Sequence, residues 1–380
     1  MILFLLTFFL LYGSLHLYAF LRARAAFAFG ITTGICLSVF MLFMVISPIV
    51  IRLSEKAGME LFARLASYLG YTWMGIIFLF VSCSILFDLY RLLVAAGGFV
   101  LGKEVSHLSI SRHSAFLIPL AIAIGIAIYG YFEALSIRTE YLTIRSPKIP
   151  SDAGRVRIAQ ISDVHLGLIV RENRLGNILA VVEKENPDIL VSTGDLVDGQ
   201  IDNLSGLAEM LQRINPRFGK YAVTGNHEFY AGLQQSLSFT HRSGFTMLRG
   251  ERIDLGKVMT IVGVDDLQAR SFGLYRGGDE AEVLAGIPED RFVLLLKHRP
   301  LIDDISRGLF DLQLSGHVHR GQIFPFSILT ALYYETQSGL SRLQDGSSLY
   351  VSRGSGTWGP PIRFLSPPEV TVIDLIPPDQ

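Results

Sequence analysis

Five short segments of the sequence combine side chains of the types that bind metal ions, and each follows an apolar, strand-like run. The segments are SDVHLG (162–167), TGDLVDG (193–199), TGNHEFY (224–230), LKHRP (296–300) and SGHVHRG (315–321). Carboxylate, amide and imidazole groups without a thiolate suit Mn, Fe or Zn at a hydrolytic site. The candidate side chains in these segments are Asp163, His165, Asp195, Asp198, Asn226, His227, His298, His317 and His319.

Each segment alone is weak evidence, because an isolated D-x-H or G-D is usually a turn or a helix cap. Five of the nine histidines of the chain lie in these segments, however, and every segment follows a strand signal. Glycine beside the donors, as at Gly194, Gly225 and Gly316, allows sharp turns and a close approach of the backbone. The number and order of the segments therefore predict a metal site at the ends of several strands.

The series D-x-H, G-D-x-x-D, G-N-H-E, H and G-H-x-H, in that order, resembles the calcineurin-like metallophosphoesterase superfamily. The resemblance covers nearly all of residues 155–376 and implies an α/β fold, the four-layer αββα sandwich of that superfamily. The tail GSGTWGPPIRFLSPPEVTVIDL further resembles a bacterial branch of membrane-anchored phosphodiesterases.

The resemblance implies a site for two divalent metal ions, with Mn²⁺ as the first expectation and Fe or Zn as alternatives. The first ion would be held by Asp163, His165 and His319. The second ion would be held by Asn226, His298 and His317. Asp195 would bridge both ions, and a hydroxide between them would attack phosphorus in line.

The same resemblance implies supporting roles for three further residues. His227 would stand beside the leaving-group oxygen and protonate it. Asp198 would support its loop by hydrogen bonding and would not bind metal. The related branch usually has glycine after the last histidine of the series, whereas this chain has Arg320, which would contact the substrate phosphate or point to solvent.

Strand-like and helix-like runs alternate after about residue 135, which is the pattern of an α/β domain. Strands are predicted at 156–162, 257–264, 291–297, 311–315, 348–352 and 369–376. The segment EYLTIRSPKIP predicts an entry strand ahead of this series. Because sites in α/β folds lie in the loops that follow strands, the arrangement is expected to bring the five segments together.

The first third of the chain has a different composition. Four uncharged runs lie at about 2–21, 25–51, 65–87 and 114–132. Each has close to the ~20 residues that a helix needs to cross a bilayer. We predict a transmembrane region of about four helices at 1–134 and a metallophosphoesterase domain at 135–380.

Basic residues beside the apolar runs give opposing indications of orientation. Arg22 and Arg24 follow the first run, and this favours a catalytic domain on the non-cytoplasmic side. Arg138, Arg145 and Lys148 follow the fourth run and favour the opposite arrangement. We expect a multi-pass membrane protein with its catalytic domain on the non-cytoplasmic side.

The expected substrate is a phosphodiester or a pyrophosphate. Asp163 follows the fourth run by only about 30 residues, so the site is expected close to the membrane. The apolar segment IFPFSILTALYY (323–334) would then face the bilayer and admit a lipid-linked substrate, or it would fill the core beside the sheet. No basic run indicates nucleic acid, and no nucleic-acid partner is expected.

Two other classes of function fit parts of the sequence. The apolar helices would form a transporter regulated by the metal-binding domain, or the domain would be a membrane scaffold without turnover. Few ionisable residues and no obvious inverted repeat in the apolar runs argue against transport. An intact His227 and a complete set of ligands argue against a scaffold.

Overall fold

A computed structural model of the chain describes residues 2–104, 108–199, 204–277 and 280–378. The chain divides into two compact units. The helical unit runs to Phe132 and includes Gly359–Ile362, and the α/β unit contains Glu133–Trp358 and the chain from Arg363.

Four long helices occupy the first third of the described chain. They are α1 (Ile2–Phe27), α2 (Ile31–Lys56), α3 (Glu60–Leu101) and α4 (Ser114–Glu133). All four are long and apolar enough to cross a membrane, as the sequence predicted. Asp88 of α3 accepts a hydrogen bond from Arg22 of α1 at 2.5 Å, and Arg22 also donates to the carbonyl of Ala115 in α4 at 2.7 Å. The side chain of Arg22 thus joins three of the helices.

The first sheet of the α/β unit has six strands among the described residues. Their order is β1 (Arg138–Arg145), β12 (Glu369–Ile376), β2 (Val156–Ile161), β3 (Ile189–Ser192), β4 (Lys220–Ala222) and β5 (Thr246–Met247). The strands from β2 to β5 are parallel, whereas β12 runs antiparallel to β2 and parallel to β1. The predicted entry strand is β1.

The second sheet also has six strands in the described part of the chain. Their order is β10 (Gly339–Arg342), β11 (Ser348–Val351), β9 (Leu312–Ser315), β8 (Val293–Leu296), β7 (Met259–Gly263) and β6 (Glu251–Leu255). The four inner strands are parallel, and the two outer strands, β10 and β6, are antiparallel to their neighbours. Strand β8 is a continuous apolar run because both faces of the parallel part are covered.

The two sheets pack face to face around a shared apolar core. This core contains Ile158, Val191 and Tyr221 of the first sheet and Ile261, Leu294 and Leu312 of the second. Burial of apolar side chains contributes roughly 1.5–3 kcal/mol for each large residue, so this layer is a main source of stability.

Helices cover the outer faces of both sheets. Helices α5 (Glu172–Glu185), α6 (Ser205–Gln212) and α8 (Leu233–Arg242) pack on the first sheet through residues such as Leu175 and Phe239. Leu284 of α10 (Glu280–Leu284) packs on the second sheet. The order of layers is helix, sheet, sheet, helix, which confirms the predicted αββα sandwich. Three short helices lie in loops: α7 (Asn226–Ala231), α9 (Gln268–Ser271) and α11 (Phe326–Ala331).

The segment 323–334 lies largely outside the core. Its terminal residues Ile323 and Tyr334 are buried, but no residue of α11 is buried. The expectation that this segment fills the core beside the sheet is therefore wrong for its middle part, where large apolar side chains reach the surface.

Candidate metal centre

The loops that follow five parallel strands bring the predicted donor residues together. Asp163 and His165 follow β2, Asp195 follows β3, and Asn226 follows β4 of the first sheet. The histidines from the second sheet follow β8 and β9. Three overlapping groups have donor atoms within 4.8 Å of one another: Asp163, His165 and His319; His165, Asp195 and His227; and Asp195, His298 and His317.

The first pole of the site consists of Asp163, His165 and His319. The Nε2 atoms of the two histidines are 3.2 Å apart, and His319 Nε2 is 3.4 Å from Asp163 Oδ1. Nitrogen donors bind a divalent metal at about 2.0–2.1 Å, so two donors on one ion are roughly 3.0–3.4 Å apart. The observed separations fit one shared divalent ion, and the donor set contains no sulfur.

The second pole is built around His298. Its Nε2 lies 3.0 Å from His317 Nδ1 and 3.2 Å from Asn226 Oδ1. The same atom is 3.2 Å from Asp195 Oδ2, which in turn is 3.8 Å from His165 Nε2 of the first pole. These separations also fit a divalent ion, and the Asp195 carboxylate lies between the two poles.

The backbone at the donor residues adopts an uncommon conformation. Five of these residues have positive φ, between 49° and 71°: Asp163, His165, Asp195, His317 and His319. A non-glycine residue in this region costs of order 1–3 kcal/mol and is retained only where the surroundings impose it. Five such residues at one place indicate a site whose geometry is imposed by the fold.

Hydrogen bonds hold the donor side chains in orientation. His298 Nδ1 donates to the carbonyl of Thr193 at 2.8 Å, which leaves Nε2 free to face the second pole. Asp163 accepts from the Ser162 hydroxyl at 2.5 Å and from the backbone nitrogen of His317 at 3.0 Å. The Asp163 bonds link a loop of the first sheet to a loop of the second.

Burial shifts the pKa values of Asp163 and His165 at the first pole. Burial, followed by the charge of His227, lowers the pKa of His165 to about 4, so that its imidazole is neutral, as a metal ligand must be. Burial raises the pKa of Asp163 to about 6. His165 Nδ1 is buried without a hydrogen-bond partner in the described structure.

His227 lies at the edge of the site and is paired with Asp198. His227 Nδ1 donates to Asp198 Oδ1 at 2.7 Å, so Asp198 supports His227 directly and is not among the clustered metal donors. Burial alone would lower the pKa of His227, but the charges of Asp195 and Asp198 raise it to about 9. The raised pKa favours the imidazolium form and makes His227 a candidate proton donor. Arg320 is exposed in the turn His319–Gly321.

Glu228 is a positioning residue for which the sequence analysis predicted no role. Its buried carboxylate accepts hydrogen bonds from the backbone nitrogens of Gly225 (2.7 Å), Asp195 (3.0 Å) and Leu196 (2.8 Å). Part of the signal was present in the sequence, because Glu228 is the third residue after Gly225, the N-cap of α7, and its carboxylate forms the glutamate half of a capping box with the Gly225 nitrogen.

Arg363 also contacts the site and was not predicted. This fully buried guanidinium donates to the carbonyls of Arg353, Gly356 and Ser366. Its Nη2 also lies 3.1 Å from His319 Nδ1. Because a guanidinium only donates, His319 Nδ1 accepts in this contact, and the proton of the neutral ring lies on Nε2. Nothing in the spacing of the tail indicates this contact.

Comparisons with known proteins agree with this architecture. Residues 156–321 match the calcineurin-like phosphoesterase family. The chain is 43% identical over 256 residues to an uncharacterized metallophosphoesterase of Aquifex aeolicus (strain VF5), covering 67% of this chain and 97% of that protein. It is 30% identical over 342 residues to an uncharacterized metallophosphoesterase of Campylobacter jejuni, covering 87% and 89% of the two chains. A transmembrane protein with metallophosphoesterase domain from Danio rerio is 32% identical over 271 residues, covering 68% of this chain and 62% of that protein.

Proposed function

Because the chain belongs to the calcineurin-like metallophosphoesterases, we propose that this phosphoesterase hydrolase cleaves phosphodiester or pyrophosphate bonds with two divalent metal ions. The position of Asp195 carries the proposal. Its Oδ2 lies 3.8 Å from His165 Nε2 and 3.2 Å from His298 Nε2, so one carboxylate faces both poles. A ligand shared by two ions requires this arrangement.

The two ions are assigned to the two poles of the site. The first pole is Asp163, His165 and His319. The second pole is Asn226, His298 and His317. Two ions bound there would supply positive charge and an activated water for in-line displacement at phosphorus. Mn²⁺ is the first choice, and Fe or Zn suits the same donors. Asp163 and Asp195 provide only two negative charges, so the loaded centre attracts a phosphate anion.

His227 is the proposed proton donor to the leaving oxygen. The bond from its Nδ1 to Asp198 fixes the ring and leaves Nε2 as the atom that can donate to a substrate. A positioned general acid contributes roughly 10²–10⁴-fold to the rate. The rings of Tyr230 and Trp358 lie 5.4 Å and 5.7 Å from the ring of His227 and flank the space beside it. Both rings reach the surface and supply apolar contacts for a leaving group.

The catalytic domain is proposed to face the non-cytoplasmic side. Arg22 and Arg24 near the end of α1 support this orientation, because basic residues are retained on the cytoplasmic side. In cells, a protease-sensitive tag after the last residue should be cleaved by protease added outside the cytoplasmic membrane. Protection of the tag until the membrane is lysed would reverse the assignment.

Hydrolysis of bis(p-nitrophenyl) phosphate by the full-length chain in detergent with Mn²⁺ tests the enzymatic proposal. We expect activity that disappears on chelation, returns with Mn²⁺, and is lost in Asp195→Asn and His227→Ala. His241→Ala is the matched control, since His241 is an exposed histidine of α8 outside the site. A panel of cyclic nucleotides, nucleotide sugars and phospholipids then narrows the substrate. Metal binding without turnover of any of these esters would favour a scaffold.

A further inference from the structure

We propose that an exposed apolar surface beside the metal centre docks on the lipid bilayer and presents the site to substrates whose apolar part stays in the membrane. This apolar rim consists of Phe324, Phe326, Leu329, Leu332, Tyr333 and Trp358. The inference deepens the proposed function and rests on it for the nature of the reacting group, a phosphodiester or pyrophosphate.

The first observation is the exposure of the segment that contains α11. Five of the six members of the rim lie between residues 324 and 333, and all five are exposed. Leu332 is 82% exposed and Tyr333 is 70% exposed. Single exposed apolar residues are common on soluble proteins, but a contiguous group of this kind marks a binding surface or a membrane contact.

The second observation links Trp358 to this segment. The side chain of Gln322 donates to the carbonyl of Trp358 and accepts from its backbone nitrogen, both at 2.9 Å. Next to this clamp, the backbone nitrogen of Phe324 donates to the carbonyl of Phe364, and the backbone nitrogen of Phe364 donates to the carbonyl of Gln322, at the bridge between Ile323 and Phe364. The tail is therefore fixed to the segment that leads into α11, and Trp358 extends the rim.

The third observation is the continuity of the rim with the metal centre. The segment begins directly after the turn His319–Gly321, and the backbone of Gly321 packs so closely on Ser327 of α11 that no side chain fits there. On the other side, the ring of Trp358 lies 5.7 Å from the ring of His227. A molecule seated on the rim is therefore adjacent to the proposed leaving-group side of the site.

The short link between α4 and β1 supports a bilayer as the surface on which the rim docks. Helix α4 ends at Glu133, and β1 begins five positions later at Arg138. A chain spans at most about 3.3–3.6 Å per residue, so this link reaches less than about 20 Å. Since α4 is long and apolar enough to cross a membrane, this short link would keep the start of β1 within that distance of the membrane end of α4.

The chemistry of the rim suits the headgroup region of a membrane. Tryptophan and tyrosine are enriched at the boundary between lipid and water, because each has an apolar ring and a polar tip. Arg320, exposed in the adjoining turn, adds a positive charge that anionic headgroups attract. Docking in this manner would place a scissile phosphate at headgroup depth while acyl or prenyl chains stay in the bilayer.

Fluorescence of Trp358 in vesicles measures this docking without relying on catalysis. The chain has two tryptophans, so Trp73→Phe leaves Trp358 as the sole reporter. We reconstitute the full-length chain in phosphatidylcholine and phosphatidylglycerol vesicles with brominated acyl chains. We expect brominated chains to remove roughly half of the Trp358 emission, since the ring lies at the lipid boundary. If Trp73→Phe does not fold, the difference between the wild type and Trp358→Phe gives the same quantity.

Two surface variants locate the contact. Leu332→Glu should reduce the quenching by about half or more, because a charge in the rim opposes insertion. Ile305→Glu is the matched control, since Ile305 is 75% exposed outside the rim, and it should leave the quenching unchanged. The proposal would be overturned if iodide in water quenched the Trp358 emission and brominated lipid did not. The proposal would also be overturned if the rim became protected from solvent only when two copies of the chain associate.

Hydrolysis of bis(p-nitrophenyl) phosphate by the same samples separates the two proposals. Quenching without hydrolysis contradicts the proposed function and leaves docking supported. Hydrolysis without quenching contradicts docking and leaves the function supported. Leu332→Glu should retain hydrolysis of this water-soluble ester, because Leu332 is 82% exposed and is not one of the proposed metal ligands.

Discussion

Single residues of the site act largely through hydrogen bonds to their neighbours, and the pair of His227 and Asp198 is the clearest case. Asp198 Oδ1 accepts from His227 Nδ1 at 2.7 Å, and the two carboxylates nearby favour the imidazolium. His227→Ala should lower kcat by roughly 10²–10⁴-fold. Asp198→Asn keeps an acceptor but removes the charge, so we expect a smaller loss, of about tenfold.

The double variant of this pair tests whether the two residues act together. Because Asp198 is assigned to act through His227, the kcat of His227→Ala should not fall further when Asp198→Asn is added. The metal content of each variant, measured by elemental analysis, should equal that of the wild type. Independent, multiplying losses would show that Asp198 has a separate role, such as binding metal.

Glu228→Gln is a sharper test of the residues that position the ligands. Glu228 accepts from four backbone nitrogens, and a glutamine would turn an NH₂ group toward one of them. An unmatched buried donor costs about 1–3 kcal/mol. We expect a lower melting temperature and weaker metal binding by titration calorimetry. Glu183→Gln, on the exposed face of α5, should change neither quantity, and a Glu228→Gln variant that behaves like it would refute the positioning role.

Sequence patterns predicted which candidate donors converge, and they did not predict all the residues that hold them. His165 and His319 could be placed together because their segments follow strands and their order resembles a known family. Glu228 accepts hydrogen bonds from the backbone of another loop. Arg363 contacts a histidine 44 positions away in the sequence. The bond of Glu228 to Gly225 follows the spacing from N-cap to N3, but its bonds to the loop after β3 and the contact of Arg363 with His319 depend on the packed arrangement of loops and have no spacing rule.

At the scale of elements, the close approach of two loops limits which residues are tolerated. A methyl group at Gly225 would lie 2.6 Å from the backbone nitrogen of Asp195, and backbone atoms cannot move aside without displacing the loop. Gly225→Ala should therefore separate the loops after β3 and β4 and weaken metal binding by at least about tenfold.

Gly206→Ala is the matched control for this substitution. Gly206 is an exposed residue of α6 with open space around it, and alanine favours a helix by about 1 kcal/mol over glycine. We expect unchanged or slightly raised stability and unchanged metal affinity. Equal metal affinity in Gly225→Ala and Gly206→Ala would show that the loop contact does not support the site.

Elements with strong patterns were predicted well, and elements defined by tertiary contacts were not. The apolar runs at 156–162 and 311–315 correspond to β2 and β9, because buried parallel strands are continuously apolar. Strand β5 has only two residues, too few for a pattern. The segment that contains α11 is as apolar as a buried segment, and composition alone could not show that it reaches the surface.

At the scale of the whole α/β unit, the candidate metal centre lies where the two sheets meet. Asp163, Asp195 and Asn226 come from the first sheet, whereas His298 and His317 come from the second. In the arrangement proposed here, each ion has ligands from both sheets. Bound metal would therefore connect the carboxyl ends of strands that are otherwise joined by the apolar core and a few hydrogen bonds.

Removal of metal should consequently destabilise the loops at the carboxyl ends of the parallel strands in both sheets. A ligand at 100 times its dissociation constant stabilises the folded state by about 2.7 kcal/mol, which is several degrees in melting temperature for a unit of this size. We expect chelation of the full-length chain in detergent to lower the melting temperature and to speed hydrogen exchange in 162–167 and 315–321. The exchange in α1–α4 should not change.

Asp195→Asn, which removes the charge of the shared ligand, should reduce both the fall in melting temperature and the increase in hydrogen exchange, because less metal is bound before chelation. If metal-free and metal-loaded protein exchange alike in these loops, the ions do not connect the two sheets, and the assignment of ligands across the sheets fails with it.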